Sequence, residues 1–195
     1  MSTSPDKITV IGAGLTGPLL AVSLVQRGFR VAIYERRPDP RRVRLSAGRS
    51  INLAISVRGI HALHEAGLWE SMRNIIIPMK GRMMHSLSGE LTFQPYGKDE
   101  TEVINSISRT DLNAALMNEA EKRGVKIHFN ERCIGFDLQT GVARFRNEES
   151  GRETDVAGII IAADGASSAI RHAMVKLDGF NVSQQLLDYG YKELT

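Results

Sequence analysis

The first forty residues alternate between short apolar runs and turn residues. Lys7–Ile11 and Arg30–Tyr34 are mostly apolar and of strand length, which indicates two buried strands. The segment between them, Leu15–Arg27, repeats apolar residues at helical spacing, and Gly28 follows it as a typical helix stop. The repeating positions are Leu15, Leu19, Val22 and Val25. This order of strand, turn, helix and strand predicts a βαβ unit.

The rest of the chain continues to alternate between helical and strand-like segments. Helices are predicted over Val57–Ala66 and Thr110–Arg123, each followed by a glycine, and over Ser167–Met174. Ser88-Gly89 is typical of a hairpin turn. The predicted strands are Met79–Leu87, Leu91–Tyr96, Val125–Phe129, Cys133–Leu138, Val142–Asn147 and Asp155–Ala162, with a polar and then strand-like tail after Phe180. We therefore predict an α/β sheet domain with an inserted β layer near residues 78–97.

Composition narrows the class of protein without identifying it. The chain has 195 residues and a formal net charge of only +3, so we expect no nucleic-acid partner. The single cysteine, Cys133, rules out an internal disulfide and fits a reducing compartment, so we expect a cytoplasmic protein. Met1–Lys7 lacks the apolar core of a signal peptide, and no apolar run here is long enough to span a membrane. A membrane anchor beyond residue 195 and a homodimer are left open.

A glycine-rich turn joins the first strand to the first helix. Gly12, Gly14 and Gly17 form the pattern G-x-G-x-x-G, directly after an apolar strand and at the start of a helix. In this setting Gly12 permits the tight turn, Gly14 lets the backbone approach a diphosphate, and Gly17 lets the helix pack closely on the strand. The N–H groups and the positive end of the helix dipole would face the anion. We therefore predict a dinucleotide site at this turn, which also includes Leu15.

Glu35 ends the second predicted strand, a little over twenty residues after Gly12. A carboxylate there can accept hydrogen bonds from ribose hydroxyls and would repel a 2′-phosphate, which favours FAD or NAD over NADP. The arginine-rich segment Arg36–Arg49 is interpreted as a loop, and Arg36 is expected at the cofactor because it lies beside the predicted adenosine site. The other arginines are interpreted mostly as solvated side chains: Arg37, Arg41, Arg42, Arg44 and Arg49.

Two later motifs distinguish between the two dinucleotides. Asp164-Gly165 follows a predicted strand and precedes x-x-Ser-x-x-Arg, and Arg109 opens an Arg-x-x-Leu helix start. Each motif alone is also compatible with an ordinary turn or a surface helix. Together, in this order, they resemble the FAD-dependent aromatic hydroxylases. The resemblance implies FAD as the cofactor, with contacts from Asp164 and from Arg109, which would form a second anion site at a helix N-terminus.

Other segments of the chain are similar to a branch of that family whose substrate is a small aromatic amino acid. They cover residues 49–59, 78–86, 94–97 and 183–194. In that branch an arginine and a tyrosine of the inserted β layer bind the substrate carboxylate, and they correspond to Arg82 and Tyr96. A guanidinium can hold a carboxylate with two parallel hydrogen bonds, and a phenol adds a third. Further implied FAD contacts are Thr16, Glu35, Arg36, Ala54 and Cys133, the last through its backbone.

The resemblance also implies a division into domains. The FAD-binding domain would be discontinuous, over residues 1–77 and 98–178, of Rossmann-like architecture. Residues 78–97 and 179–195 would belong to the β-sheet of a substrate domain. Family members continue with the rest of that sheet and a second Gly-Asp flavin motif, so we expect this chain to be the front portion of a longer enzyme.

The reaction that the resemblance implies is hydroxylation of the aromatic substrate with NADPH and O₂ as co-substrates. The cofactor carries such chemistry while the protein supplies position and dryness, so we assign no catalytic residue. The spacing of His61, His64, His85 and His172 matches no metal site, and we expect no metal. Two alternatives stay open: another FAD-dependent oxidoreductase, or a non-catalytic FAD-binding module.

Overall fold

The structure, a computed structural model, describes residues 7–42 and 52–189 and has the predicted α/β architecture. Its strands are β1 (Lys7–Ile11), β2 (Arg30–Tyr34), β3 (Asn52–Ile55), β4 (Ile76–Met79), β5 (Gly81–His85), β6 (Leu91–Pro95), β7 (Ile104–Ser108), β8 (Lys126–His128), β9 (Glu131–Asp137), β10 (Val142–Asn147), β11 (Glu153–Val156) and β12 (Ile159–Ala162). Its α-helices are α1 (Thr16–Gln26), α2 (Val57–Glu65), α3 (Trp69–Met72), α4 (Arg109–Lys122) and α5 (Ala169–Met174). By its internal contacts the chain divides into unit one, Met1–Ser46 with Leu116–Thr195, and unit two, Ala47–Ala115.

A parallel sheet in the order β12-β1-β2-β8 forms the centre of unit one. Its two middle strands are apolar because side chains on both faces are covered, and Val10 and Ile33 are completely buried. The connection from β1 through α1 to β2 is the predicted βαβ unit, and both strands have their predicted bounds. The pairing of Ile11 with Tyr34 brings the carboxyl ends of β1 and β2 side by side. The turns that follow these two strands therefore lie at the same edge of the sheet.

An antiparallel sheet in the order β11-β10-β9 packs against this edge of the parallel sheet. β10 alternates in the manner of a half-buried strand, with Ala143 and Phe145 fully buried and Arg144 and Arg146 exposed. Phe145 stacks on Tyr34, with ring centroids 4.3 Å apart. The buried cluster at this contact contains Ile11, Ala143, Phe145, Val156 and Ile170. Because Ile11 and Tyr34 are the last residues of their strands, this cluster holds both strand ends in place.

The predicted strand Asp155–Ala162 is wrong as a single element. The structure has two strands here, β11 and β12, and they belong to different sheets. Between them Gly158 has a φ of +114°, a backbone conformation that interrupts an extended chain. β11 runs antiparallel to β10, whereas β12 runs parallel to β1. The β-like composition is continuous across residues 155–162, so it gave no sign that the chain passes from one sheet to another here.

Unit two contains a second antiparallel sheet and a separate hairpin. The sheet has the order β3-β7-β4, and β5 pairs with β6 in the hairpin. The predicted turn at Ser88-Gly89 is confirmed, since Gly89 has a φ of +85° and donates its N–H to the Ser86 carbonyl. The predicted strand Met79–Leu87 is corrected to two strands, β4 and β5, with Lys80 between them. The sequence patterns did not reveal β3, β7 or α3.

The remaining helices agree with prediction to within a few residues at their ends. α2 and α4 end just before Gly67 and Gly124, both of which have positive φ. The strand-like tail is not observed up to Tyr189, since residues 175–189 contain no strand; Gly190 to Leu194 lie outside the described residues. No helix in the described ranges is long and apolar enough to cross a membrane. The division into FAD-binding and substrate domains stays a prediction.

Candidate cofactor site

The bend after β1 requires a glycine at its first position. Gly12 has a φ of +102° and donates its N–H to the Tyr34 carbonyl at 2.8 Å. A Cβ at this position would lie only 2.6 Å from the carbonyl oxygen of Ala163. Both the left-handed conformation and the close approach of the chain after β12 therefore exclude a side chain.

The other two glycines of the motif are explained differently. A Cβ on Gly17 would overlap the carbonyl oxygen of Gly12, so this glycine permits the close packing of α1 on β1. A Cβ on Gly14 would meet no atom of the described protein within 4 Å. Packing among the described residues gives no reason for a glycine at position 14. The open space at Gly14 fits the predicted approach of a cofactor diphosphate to the backbone.

No N-cap side chain accepts a hydrogen bond from the first backbone N–H groups of α1. Its N-cap is Leu15, which makes no side-chain hydrogen bond, and the first turn contains no acidic residue. The first N–H groups of an α-helix have no partner within the helix, and here no capping side chain replaces one. With the helix dipole, these groups form a site suited to an anion, as in dinucleotide-binding folds.

The Glu35 carboxylate lies at the glycine bend, as predicted. Its Oε2 accepts a hydrogen bond of 2.8 Å from the Ala13 N–H, and its Oε1 accepts bonds from the Arg37 N–H at 2.9 Å and from Arg37 Nε at 2.8 Å. Burial of Glu35 opposes ionisation most strongly, but the hydrogen bonds from Arg37 and Ala13 together lower its pKa below the ordinary value. Glu35 is therefore an ionised, buried acceptor beside the predicted diphosphate position. Its contact with a ribose stays a prediction.

The arginines after β2 differ from one another more than their sequence suggests. Arg36, the one expected at the cofactor, is exposed, whereas Arg37 forms the ion pair with Glu35. The interpretation of Arg41 as a solvated side chain is wrong, because it is only 17% exposed and pairs with Asp39 and Glu121. These carboxylates raise the pKa of Arg41 far above its usual range. Arg44 and Arg49 lie outside the described residues.

Arg41 fastens the loop after β2 to α4. Its Nη1 donates to Asn118 Oδ1 at 2.7 Å and to Glu121 Oε2 at 2.6 Å, and its guanidinium lies 5.6 Å from the ring centroid of Phe129. The spacing of Asp39 and Arg41 is the only local signal for this role. The contacts with α4 join residues about eighty positions apart, which the sequence pattern does not reveal.

The Asp164-Gly165 motif lies directly against the glycine bend. Ala163 donates its N–H to the Ile11 carbonyl at 2.8 Å, and a Cβ on Gly12 would come within 3.0 Å of the Asp164 Cα. The Asp164 carboxylate accepts a hydrogen bond of 2.8 Å from the Ala169 N–H and so fixes the turn before α5. The structure thus brings together the two motifs that the resemblance connected. A direct contact of Asp164 with FAD stays a prediction.

Arg171, the last residue of that motif, closes the turn from the other side. Its side chain donates to the carbonyl of Gly165 at 3.2 Å and also to the carbonyl of Ala166. The Ser168 hydroxyl accepts the Arg171 N–H at 3.0 Å as the cap of α5. The motif therefore stabilises its own loop through these hydrogen bonds.

Cys133 lies on β9, next to the buried cluster of unit one. Burial, and secondly the negative charge of Asp164, raise the pKa of its thiol above the ordinary value. The thiol is therefore protonated at neutral pH and behaves as a small hydrophobe. This agrees with the expectation that Cys133 would not act through its sulfur, and its backbone contact stays a prediction.

The predicted residues of unit two lie on three elements: β3, α4 and the hairpin of β5 and β6. Ala54 is an exposed residue of β3, paired with Ser106, and Arg109 is the exposed first residue of α4. On the hairpin, Arg82 lies opposite Gln94, and its Nε donates a hydrogen bond of 2.8 Å to Gln94 Oε1. Tyr96 follows two positions later and therefore belongs to the same face of the hairpin. Arg82 and Tyr96 therefore lie on the same face of the hairpin, and their contact with a substrate stays a prediction.

The histidines give no sign of a metal centre. His64 stacks on Trp69, with ring centroids 5.0 Å apart, in a packing role. Across residues 7–42 and 52–189, no three His, Cys, Asp or Glu side chains come together in a way that could hold a metal ion.

These features together define a dinucleotide-binding domain: a glycine bend, an acceptor carboxylate and a helix N-terminus suited to an anion, all at the carboxyl edge of a parallel sheet. The family model described as FAD binding domain matches residues 6–190, and the chain belongs to this family. The cofactor is accordingly FAD, as predicted.

Two curated relatives with high sequence identity carry the same enzyme name. The chain is 47% identical to kynurenine 3-monooxygenase of Myxococcus xanthus over 192 residues, 97% of this chain and 41% of the relative. It is 44% identical to kynurenine 3-monooxygenase of Xanthomonas oryzae, over 98% of this chain and 42% of the relative. The chain therefore spans about two fifths of the length of these curated relatives.

Solved structures of low sequence identity share the fold. The flavin-dependent monooxygenase PieE, in complex with FAD and substrate, superposes with a TM-score of 0.74 at 15% identity, over 88% of this chain and 33% of that chain. The tetrameric form of 2-methyl-3-hydroxypyridine-5-carboxylic acid oxygenase gives a TM-score of 0.68 at 20% identity, over 88% and 43% of the two chains. The Rossmann-like fold predicted from the glycine motif is confirmed.

Proposed function

We propose that the chain is the FAD-binding part of a monooxygenase that converts L-kynurenine to 3-hydroxykynurenine, with NADPH and O₂ as co-substrates. The observation that carries the proposal is the 47% identity with the Myxococcus xanthus enzyme, which extends over 97% of the chain. The matched region therefore includes both the glycine bend and the hairpin with Arg82 and Tyr96.

The cofactor would be held by unit one. The N–H groups at the start of α1 would bind the diphosphate, with the backbone at Gly14 in close approach. The Glu35 carboxylate would accept hydrogen bonds from the ribose hydroxyls, since it is ionised and beside the bend. When bound, FAD supplies the redox chemistry that activates oxygen.

The substrate would be held by its amino-acid head. In this proposal the Arg82 guanidinium makes two parallel hydrogen bonds to the kynurenine carboxylate, and the Tyr96 hydroxyl donates a third. Each charge-assisted bond stabilises the complex by roughly 1.5–3 kcal/mol net. Binding of the amino-acid head fixes the position of the aromatic ring. Binding groups are expected to increase the reaction rate by orienting the substrate in this way.

No protein base is required in this scheme. The aromatic amine of kynurenine donates electron density to its ortho carbon, the position that is hydroxylated. The protein's part is to bind, orient and exclude water.

The test is product formation by the protein that contains this chain. The FAD-loaded protein should oxidise NADPH faster when kynurenine is added, and 3-hydroxykynurenine should accumulate in equal amount to the NADPH consumed by coupled turnover. Oxidation of an amine or hydroxy acid without oxygen insertion would favour another FAD-dependent oxidoreductase. A stable flavin spectrum with no turnover of any substrate would favour a non-catalytic module.

A further inference from the structure

Arg82 and Gln94 face each other directly across the hairpin of β5 and β6. The Arg82 Nε donates a hydrogen bond of 2.8 Å to the Gln94 Oε1, and both side chains are exposed. We propose that Gln94 is a positioning residue, which orients the Arg82 guanidinium for the substrate carboxylate without neutralising its charge. The inference rests on the proposed function and adds a residue to the same site.

Two other arginines of this chain occupy the same kind of cross-strand position, and both have acidic partners. Arg144 Nε lies 2.8 Å from Asp155 Oδ1, and Arg146 Nη2 lies 2.7 Å from Glu153 Oε1, on the paired strands β10 and β11. A carboxylate in that position forms an ion pair with the arginine and neutralises its positive charge. The partner of Arg82 is instead a neutral amide, which accepts one hydrogen bond and leaves the charge available to a ligand.

The hydrogen bond also determines which edge of the guanidinium is free. Because Nε is engaged by Gln94, the two Nη groups remain, and together they form the edge that binds a carboxylate with two parallel bonds. The ion pairs formed in the described part of unit two, Arg73–Glu70 and Lys80–Glu100, do not involve Arg82.

Tyr96 lies on the same side of this pair. Its N–H donates to the Lys80 carbonyl at 2.9 Å, which extends the ladder of the hairpin by one residue pair beyond Gly81–Pro95. Strand alternation then places Tyr96 on the face of Gln94 and Arg82. Side chains on diagonal neighbours of this kind are within reach of each other when they are long or aromatic. The three residues therefore form a polar face with a free positive charge and a phenol, which suits an anionic head group.

The experiment compares Gln94→Glu and Gln94→Met in the FAD-loaded protein. The affinity for kynurenine is measured by calorimetry, and kcat and KM are measured by NADPH oxidation. Gln94→Glu supplies a competing carboxylate and should weaken kynurenine binding about tenfold or more, the equivalent of about 1.4 kcal/mol. Gln94→Met keeps the length of the side chain but not the acceptor, and should weaken binding about threefold to tenfold. In both variants KM should rise while kcat changes less than about twofold.

Four controls separate positioning from a general loss of structure. FAD content should be unchanged in both variants, and the cross-strand variant Asp155→Asn should leave kynurenine affinity unchanged. An amine analogue of kynurenine that lacks the carboxylate should bind the Gln94 variants as well as it binds the parent protein. In an Arg82→Ala background, the Gln94 substitutions should have no further effect.

The proposal is overturned if the Gln94 variants weaken the carboxylate-free analogue equally, if they act just as strongly in the Arg82→Ala background, or if kynurenine affinity does not change. A different result identifies failure of the proposed function itself. In that case the parent protein shows no kynurenine-dependent NADPH oxidation, or Arg82→Ala binds kynurenine as tightly as the parent protein does.

Discussion

The backbone N–H of Ala13 donates a hydrogen bond of 2.8 Å to the carboxylate of Glu35, twenty-two residues later in the chain. The bond links the glycine bend after β1 to the end of β2. Because the carboxylate also binds Arg37, the protein itself holds it in one position. A preorganised acceptor of this kind binds a ligand with a smaller loss of conformational entropy.

Replacement of Glu35 by glutamine should destabilise unit one. The amide cannot accept all the hydrogen bonds that the buried carboxylate accepts from Ala13 and Arg37, so we expect a loss of about 1–3 kcal/mol in the free energy of unfolding. Urea denaturation followed by circular dichroism measures it. The exposed pair Arg146–Glu153 offers a control, since Glu153→Gln should change the stability by less than about 1 kcal/mol. Equal effects of the two substitutions would contradict the assigned role of the buried carboxylate.

The same carboxylate should make stability depend on pH. Its pKa is lower in the folded protein than the ordinary value of 4.5, so its stabilisation is fully present above that value. The stabilisation is lost as the pH falls through the lower pKa of the folded state, because the folded protein must then take up a proton. Between about pH 6 and about pH 3 the parent protein should lose more stability than Glu35→Gln. Parallel pH profiles for the two proteins would show that Glu35 does not contribute.

Gly14→Ala and Gly17→Ala should separate cofactor binding from folding. A methyl group at Gly14 enters open space, so the free energy of unfolding without cofactor should change by less than about 1 kcal/mol, while FAD affinity falls about tenfold or more. A methyl group at Gly17 overlaps the Gly12 carbonyl and should cost about 2 kcal/mol or more in stability. Thermal melts with and without FAD, together with a flavin titration, distinguish the two. Retention of full FAD affinity by Gly14→Ala would refute a close approach of the diphosphate there.

Arg82→Ala should raise the KM for kynurenine strongly while FAD stays bound. The reason is that the hairpin carries the proposed carboxylate contact, whereas the glycine bend belongs to the other unit. Loss of a charge-assisted contact of roughly 1.5–3 kcal/mol corresponds to a change of about tenfold to a hundredfold. Steady-state kinetics and the flavin spectrum measure both quantities. Unchanged kynurenine affinity would remove Arg82 from the site.

Phe145→Ala should be one of the most destabilising single changes in unit one. The ring is fully buried, stacks on Tyr34 and joins the two sheets. Truncation of such a residue costs about 3–5 kcal/mol. Leu87, which is completely exposed at the hairpin turn, provides the comparison, and Leu87→Ala should have almost no effect on stability. Similar unfolding midpoints for the two variants would refute this account of the core.

The sequence revealed those features of the site that depend on local chemistry. Gly12 and Gly17 could be predicted because a tight turn and close packing of a helix on a strand each require a glycine. Glu35 could be predicted because it lies at the end of the second strand, at a short spacing from those glycines. The break at Gly158 was missed because an apolar run looks the same whether or not it changes sheet. The position of Arg41 depends on α4, and that contact is set by the fold rather than by its neighbours in the chain.

The approach of Ala163 to Gly12 has a consequence for how the protein is made. β12 is paired with β1, so one side of the glycine bend is formed by residues synthesised about a hundred and fifty positions later. While the chain is still on the ribosome, the glycine bend and Glu35 can form their local contacts, but β1 has only one of its neighbours. Such distant strand pairing is slow to form, and until then the edge of β1 is open to pairing with other chains. FAD added at the start of refolding should therefore not increase the rate of any refolding step that precedes the pairing of β12 with β1.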